Sequence, residues 1–211
     1  MLMFCHYEDT EMLILEKPAG LLSVPGRGED KQDCLWRRAQ ELWPDALIVH
    51  RLDCATSGLM VLARSKESHR QLSMQFQQRR NFKRYQALVS GYVSGWDGAR
   101  HEPMRCDWER RPLQMIDFEQ GKSATTYWHA LAHEQVAGLE ATRMALYPIT
   151  GRSHQLRLHM QVLGHPILGD NLYAGGAALE SVDRLMLHAD LLELFHPSTD
   201  ERLSFRSAAP F

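Results

Sequence analysis

Residues 50–59 read His50-Arg51-Leu52-Asp53-Cys54-Ala55-Thr56-Ser57-Gly58-Leu59. One carboxylate, one guanidinium, one imidazole and two hydroxyls share this short stretch. A carboxylate can attack a sugar carbon or serve as a base. A guanidinium can stack on a nucleobase or hold a phosphate. Alone, an aspartate before Thr-Ser-Gly more often accepts backbone N–H bonds in a turn. Apolar runs flank the stretch: Ile48-Val49 before it, and Gly58 to Ala63 after it. These runs predict two buried strands around a polar loop, a rigid support from which Asp53 is presented.

Two further segments carry reactive or binding side chains. Lys83-Arg84-Tyr85 heads a strand-like run, and Thr150 to Met160 (TGRSHQLRLHM) contains Leu156 and Arg157. Read singly, Tyr85 is core packing, Leu156 a core leucine and Arg157 an ion-pair arginine. Together with Glu16-Lys17-Pro18-Ala19-Gly20-Leu21-Leu22, and in this order, the segments resemble the motifs of the RluA-type pseudouridine synthases. HRLDxxTSGL is the most specific, GRSHQLRLHM nearly so, and KxY is weak by itself. The resemblance runs from about the tenth residue to the C-terminus. It extends to SVPGRG (Ser23 to Gly28), CDWERRP (Cys106 to Pro112) and GHPILGDNLYA (Gly164 to Ala174).

The resemblance implies an α+β fold, the pseudouridine synthase catalytic fold: a long bent mixed or antiparallel sheet flanked by helices, with a central cleft. It implies that Asp53 is essential, that Arg157 pairs with it, and that Tyr85 lies against the target uracil. It also implies that Leu156 walls the pocket and that Arg51 fills the place of a flipped-out nucleotide. The substrates it implies are stem-loops of 23S rRNA and of the tRNA anticodon arm.

The implied reaction breaks the bond between N1 of uracil and C1′ of ribose and rejoins the base through C5. No electrons enter or leave, no water is consumed and no donor group is needed, so no cofactor is expected. No phosphate-cradling glycine loop or dinucleotide fingerprint is present. Asp53 might attack C1′, attack C6, or take the C2′ proton; the residue types admit all three routes. Asp53 must be ionised in each, and a nearby cation favours that form. The target lies within stacked RNA, so the nucleotide has to swing out. His50 is expected to support the loop by hydrogen bonding. Arg79, Arg80, Lys83 and Arg84 are candidate phosphate contacts, which give affinity but little sequence choice.

The chain has 211 residues, enough for one domain with a sizeable core. The expectation is one catalytic domain over 1–211, with no separate N-terminal RNA-binding (S4-like) domain. No apolar run reaches membrane-span length and the N-terminus does not read as a signal peptide. The four cysteines lack a C-x-x-C spacing, which predicts free thiols and a cytoplasmic protein. No membrane association and no obligate protein partner is implied. Formal net charge is −2, yet Arg64 to Tyr85 holds seven Lys or Arg against one acid, Glu67. Such a cluster is either a solvated helix face or a footprint for phosphates. Arg105, Arg110 and Arg111 form a second cluster.

His101 with Cys106, or His154 with His159, have no metal-ligand spacing, so no metal is expected. The rival class is an RNA-binding assembly factor without catalysis. Such a protein would be expected to have lost Asp53, Tyr85 or Arg157, and all three are present.

To position these residues, the pattern predicts strands at Met12 to Glu16 and Leu21 to Val24 and a helix from Asp33, its cap, to Trp43. A Ser65-capped helix to Gln78 follows, then a strand from near Arg84 to Val93. Met115 to Gly121 reads as irregular or hairpin. Ser123 to Glu134 and Leu139 to Ile149 form a hairpin around Gln135 to Gly138. A helix opened by Gly151 and Ser153 carries Leu156 and Met160, and strands at Leu185 to Leu194 and Arg202 to Arg206 close the chain.

Overall fold

The computed structural model describes residues 4–211. In chain order the elements are β1 (Phe4–Glu8), β2 (Met12–Lys17), α1 (Leu35–Leu42), β3 (Leu47–Ile48), β4 (Ser57–Ala63), α2 (Lys66–Gln78), β5 (Phe82–Ser90), β6 (Asp97–Arg100), β7 (Met104–Cys106), β8 (Gln114–Ile116), β9 (Thr126–Val136), β10 (Leu139–Pro148), α3 (Gln155–Val162), α4 (Ala177–Glu180), β11 (Leu187–Phe195) and β12 (Arg202–Arg206). This is an α+β protein with mixed strand pairing. The chain divides into two compact units, one taking the chain up to Lys83 and again over His188–Pro210, the other Arg84–Leu187 with Phe211.

In the first unit β4 is the central strand. Its apolar residues do not alternate with polar ones, and every position is buried. β2 runs antiparallel beside it, from Met12 opposite Ala63 to Lys17 opposite Gly58. β11 joins in parallel, His188 opposite Ser57. A Cβ at Gly58 would come within 2.3 Å of the Ala189 carbonyl oxygen, and φ there is 119°, so only glycine fits this crossing. β1 extends the sheet beyond β2, β12 pairs with β11, and β3 pairs with β4. Met12, Ile14, Leu59, Val61, Leu72, Leu192 and Leu194 form the core under α2. Full burial of each such side chain contributes roughly 1.5–3 kcal/mol. The Ser65 hydroxyl caps α2 by accepting from the Ser68 N–H at 3.0 Å.

The second unit is built on the antiparallel run β5-β10-β9-β6. Ala137 and Gly138, with φ of 49° and 82°, make the two-residue turn between β9 and β10. Positive φ at both positions suits the twist of a tight hairpin. The short hairpin β7–β8 stands apart as its own two-stranded sheet. Leu158 of α3 packs with Met104, Ala124 and Tyr173.

Several sequence expectations need correction. Leu21 to Val24 is not a strand; only Leu22 makes an isolated bridge, to Cys34. Asp33 does not cap α1. Cys34 occupies the cap position without a side-chain bond, and the Asp33 carboxylate instead takes a two-pronged bond from Arg38 at 2.7 and 2.5 Å. Met115 to Gly121, by contrast, matches the irregular or hairpin reading: it holds the end of β8 in the β7–β8 hairpin and a turn closed by Asp117, whose Oδ1 accepts from the Glu119 and Gln120 N–H groups. β6 and α4, each of four residues, are too short to leave a periodic signal.

Candidate active site

Asp53 stands half-buried in the loop between β3 and β4. Its neighbours on both sides are tied down. The Ser23 hydroxyl accepts from the Leu52 N–H at 3.0 Å and donates to the Leu52 carbonyl at 2.7 Å. The Cys54 carbonyl accepts from the Gly20 N–H at 2.9 Å and from Lys17 Nζ at 3.0 Å. The Thr56 N–H closes a turn onto the Asp53 carbonyl at 3.1 Å. Lys17 is 0% exposed, and its ammonium also donates to the Pro18 and Leu21 carbonyls. A buried ammonium is tolerated only when its donors are used. The segment from Lys17 to Leu21 thus surrounds one cation with the Pro18 and Leu21 carbonyls and fastens it to the residue after Asp53.

His50 faces inward. Its Nε2 accepts from the Val61 N–H at 3.1 Å, and its ring stacks on Phe76 at 4.5 Å. Burial first, and then the Lys83 charge, push its pKa down to about 3. The imidazole is therefore neutral, with its proton on Nδ1. Lys83 reaches the same Phe76 ring at 5.8 Å, and burial pushes its own pKa down. Arg51 is exposed at the loop surface.

The start of β4 is held by a buried chain of polar groups. The Ser207 hydroxyl donates to Glu16 Oε2 at 2.6 Å, so it receives the Nε2 proton of His188 at 3.0 Å. His188 Nδ1 then accepts from the Ser57 hydroxyl at 2.8 Å. His6 meets the same Glu16 oxygen at 2.9 Å. Burial opposes ionisation of Glu16, but the bonds from Ser207 and His6 outweigh it and hold the carboxyl below its usual range.

In the second unit Tyr85 is half-buried near the start of β5, opposite Leu146 of β10. Arg84 precedes it, also half-buried. α3 carries Leu156 and Arg157, both buried. Its first turn is fixed by Gln155: Oε1 accepts from the Thr150 hydroxyl and the Arg152 N–H, while Nε2 donates to the Thr125 carbonyl and the Thr126 hydroxyl. His154 caps the helix in the left-handed region, φ 55°. Arg157 lays its guanidinium on Asp170, Nε to Oδ2 at 2.8 Å and Nη2 to Oδ1 at 2.5 Å. His159 bonds to the Thr126 hydroxyl and the Glu102 carbonyl, and burial pushes its pKa down.

The first unit thus holds Arg51, Asp53, His50, Lys83, Arg79 and Arg80, and the second holds Arg84, Tyr85, Leu156 and Arg157. The basic run around α2 is less free than its composition implies. Arg64 bonds to Glu8 and Asp45, Arg70 to Glu67, and Arg80 to Asp200 while lying over Phe195. Arg79 is exposed at the end of α2. In the second cluster Arg105 pairs with Asp117, Arg110 with Asp107, and Arg111 stacks on the exposed Trp108 at 3.5 Å. Sequence reasoning assigned no role to Lys17, Ser23 or Asp170. Their only sequence signal is that they lie in the segments EKPAGLL, SVPGRG and GHPILGDNLYA.

The family model for RNA pseudouridylate synthase matches residues 11–162, which include Asp53, Tyr85 and Arg157. The chain belongs to the RNA pseudouridine synthase family. As a member it is an isomerase that converts uridine to pseudouridine in RNA. This pseudouridine synthase is 50% identical over 194 residues to the dual-specificity RNA pseudouridine synthase RluA of Vibrio parahaemolyticus, covering 92% of this chain and 78% of the relative. It is 44% identical over 205 residues to the protein of that name from Escherichia coli K12, covering 97% and 92%. Among solved structures it resembles human RNA pseudouridylate synthase domain containing 1, with TM-score 0.85 and 28% identity, covering 100% of this chain and 84% of that one. Among the described residues no helix is long and apolar enough to cross a membrane.

Proposed function

We propose that this pseudouridine synthase acts on uridines in folded stem-loops of 23S rRNA and of the tRNA anticodon arm, with Asp53 as the carboxylate that engages the extruded nucleotide. The observation that carries the reading is the fastening of the Asp53 loop: Ser23 grips both backbone groups of Leu52, and Lys17 and Gly20 grip the carbonyl of Cys54. A backbone held this firmly keeps one half-buried carboxylate at a fixed place, which is what positioning catalysis demands. The dual RNA target is supported by the name of the two bacterial relatives.

In this reading Tyr85 lies against the uracil ring and Arg157 keeps the carboxylate ionised. Leu156 walls the pocket. Arg51, exposed beside Asp53, stacks into the place that the flipped nucleotide leaves. His50, neutral and turned inward, braces the loop rather than moving protons. Arg79, Arg84, Lys83 and the Trp108–Arg111 stack serve phosphates and exposed bases.

Joining C5 to ribose expels the C5 hydrogen. Purified protein mixed with a C5-tritiated anticodon stem-loop or 23S rRNA hairpin should therefore release label to water, and modification mapping of both RNAs should place pseudouridine in the loops. Release from neither RNA would overturn the target assignment.

A further inference from the structure

Asp170 lies in the loop after α3, beyond the matched residues 11–162 and outside every role assigned above. It is 0% exposed, and Arg157, which it faces, is 3% exposed. Its Oδ1 accepts from the Leu172 N–H at 2.9 Å and from the Tyr173 N–H at 3.1 Å. The carboxylate is thus set by its own backbone turn, independently of the arginine. Both oxygens then take the fork of Arg157, Nε and Nη2. The Asn171 side-chain oxygen Oδ1 accepts from the same Nη2 at 3.3 Å. Tyr173 lies under the guanidinium, its ring centroid 5.4 Å from Cζ. The Tyr173 hydroxyl is itself pinned by the Gln114 N–H at 2.8 Å and His154 Nδ1 at 3.0 Å.

A buried ion pair adds little net stability, since desolvation of both charges consumes most of the attraction. What a two-pronged contact does supply is direction: it fixes the plane of the guanidinium and its rotation about the side chain. Nη1 lies outside this fork, and its bearing is set by the contacts to the other two nitrogens.

We propose that Asp170 is a positioning residue for the reaction, setting the plane and direction of the Arg157 guanidinium. The proposal rests on the assignment of Arg157 to the reaction. Asp170→Asn is the sparing test, because the amide oxygen still accepts from Leu172 and Tyr173 while an N–H₂ replaces the acceptor for Arg157 Nε. With saturating enzyme and C5-tritiated stem-loop, the single-turnover rate constant should fall about a hundredfold, the cost of a misaimed group. RNA affinity and the fraction of competent enzyme should be unchanged. A purely structural role would lower the competent fraction and leave the rate constant of the folded remainder intact, and that result would overturn the proposal.

In an Arg157→Lys background, where no fork exists, the same substitution should change the rate less than about threefold; a full hundredfold loss there would also overturn it. Should Asp170→Asn fail to fold, Asn171→Ala at the exposed neighbouring position removes one acceptor of the guanidinium and should slow single turnover about two- to fivefold. An unchanged rate would then count against the proposal. Full activity of the Arg157→Lys protein would remove Arg157 from the reaction, an outcome distinguishable from failure of the Asp170 test alone.

Discussion

Replacing Ser23 by alanine removes one oxygen atom, and that hydroxyl oxygen bonds both the N–H and the carbonyl of Leu52. Leu52 is 7% exposed and Ser23 3%, so water does not readily replace it. Two backbone groups, one N–H and one carbonyl, would be left buried. An unsatisfied buried group costs about 1–3 kcal/mol, so the pair costs about 2–6 kcal/mol if the loop stays in place. The loop can instead loosen and hydrate, and then the cost appears as displacement of Asp53, the next residue. If the productive position is disfavoured by about 2 kcal/mol, turnover falls about thirtyfold. Urea unfolding and single-turnover tritium release, measured on the same Ser23→Ala preparation, separate the two outcomes. Hydrogen exchange at the Leu52 amide should accelerate in either case. Unchanged stability together with turnover within twofold of the unsubstituted protein would refute the argument that the Ser23 clamp holds Asp53.

Two further outcomes follow from the same loop. The pKa of His50 is pushed down to about 3 from an ordinary 6.5, so between these values the unfolded chain binds a proton that the folded one does not. Stability is therefore full above pH 6.5 and erodes as pH falls, with a slope approaching about 1.4 kcal/mol per pH unit for one proton. His159, also pushed down by burial, adds to the loss in the same window. Unfolding free energies measured between pH 6 and 5 should show a shallower slope in His50→Gln, and an identical slope would contradict the buried neutral imidazole. Arg51→Ala should slow turnover on a folded stem-loop about five- to 150-fold, the range expected for losing one stacking partner at about 1–3 kcal/mol. An unchanged rate would contradict the gap-filling role.

The parts of the fold written in local pattern were legible. The unbroken apolar run of β4 announced a strand buried on both faces, and Ser65 ahead of Leu72 and Phe76 announced the capped α2. Gly138 marked the β9–β10 turn, although the turn proved to be only Ala137-Gly138. Asp33 misled because a better partner, Arg38, lies one turn away. Asp53 and Arg157 were marked as candidates by their motifs. The groups that hold them were not, because their partners are distant in sequence. Lys17 reads as a surface lysine at a strand end until the Cys54 carbonyl, 37 residues on, is seen to accept from it. Asp170 reads as a turn aspartate, which it also is, until Arg157 is found on its other side.

The central claim concerns one side chain, and Asp53→Asn tests it most directly because it changes charge without changing shape. With C5-tritiated stem-loop RNA, the Asp53→Asn protein should bind with affinity within about twofold of the unsubstituted protein, since phosphate contacts dominate RNA affinity. It should release no label above background. Full release of label by that protein would contradict the account.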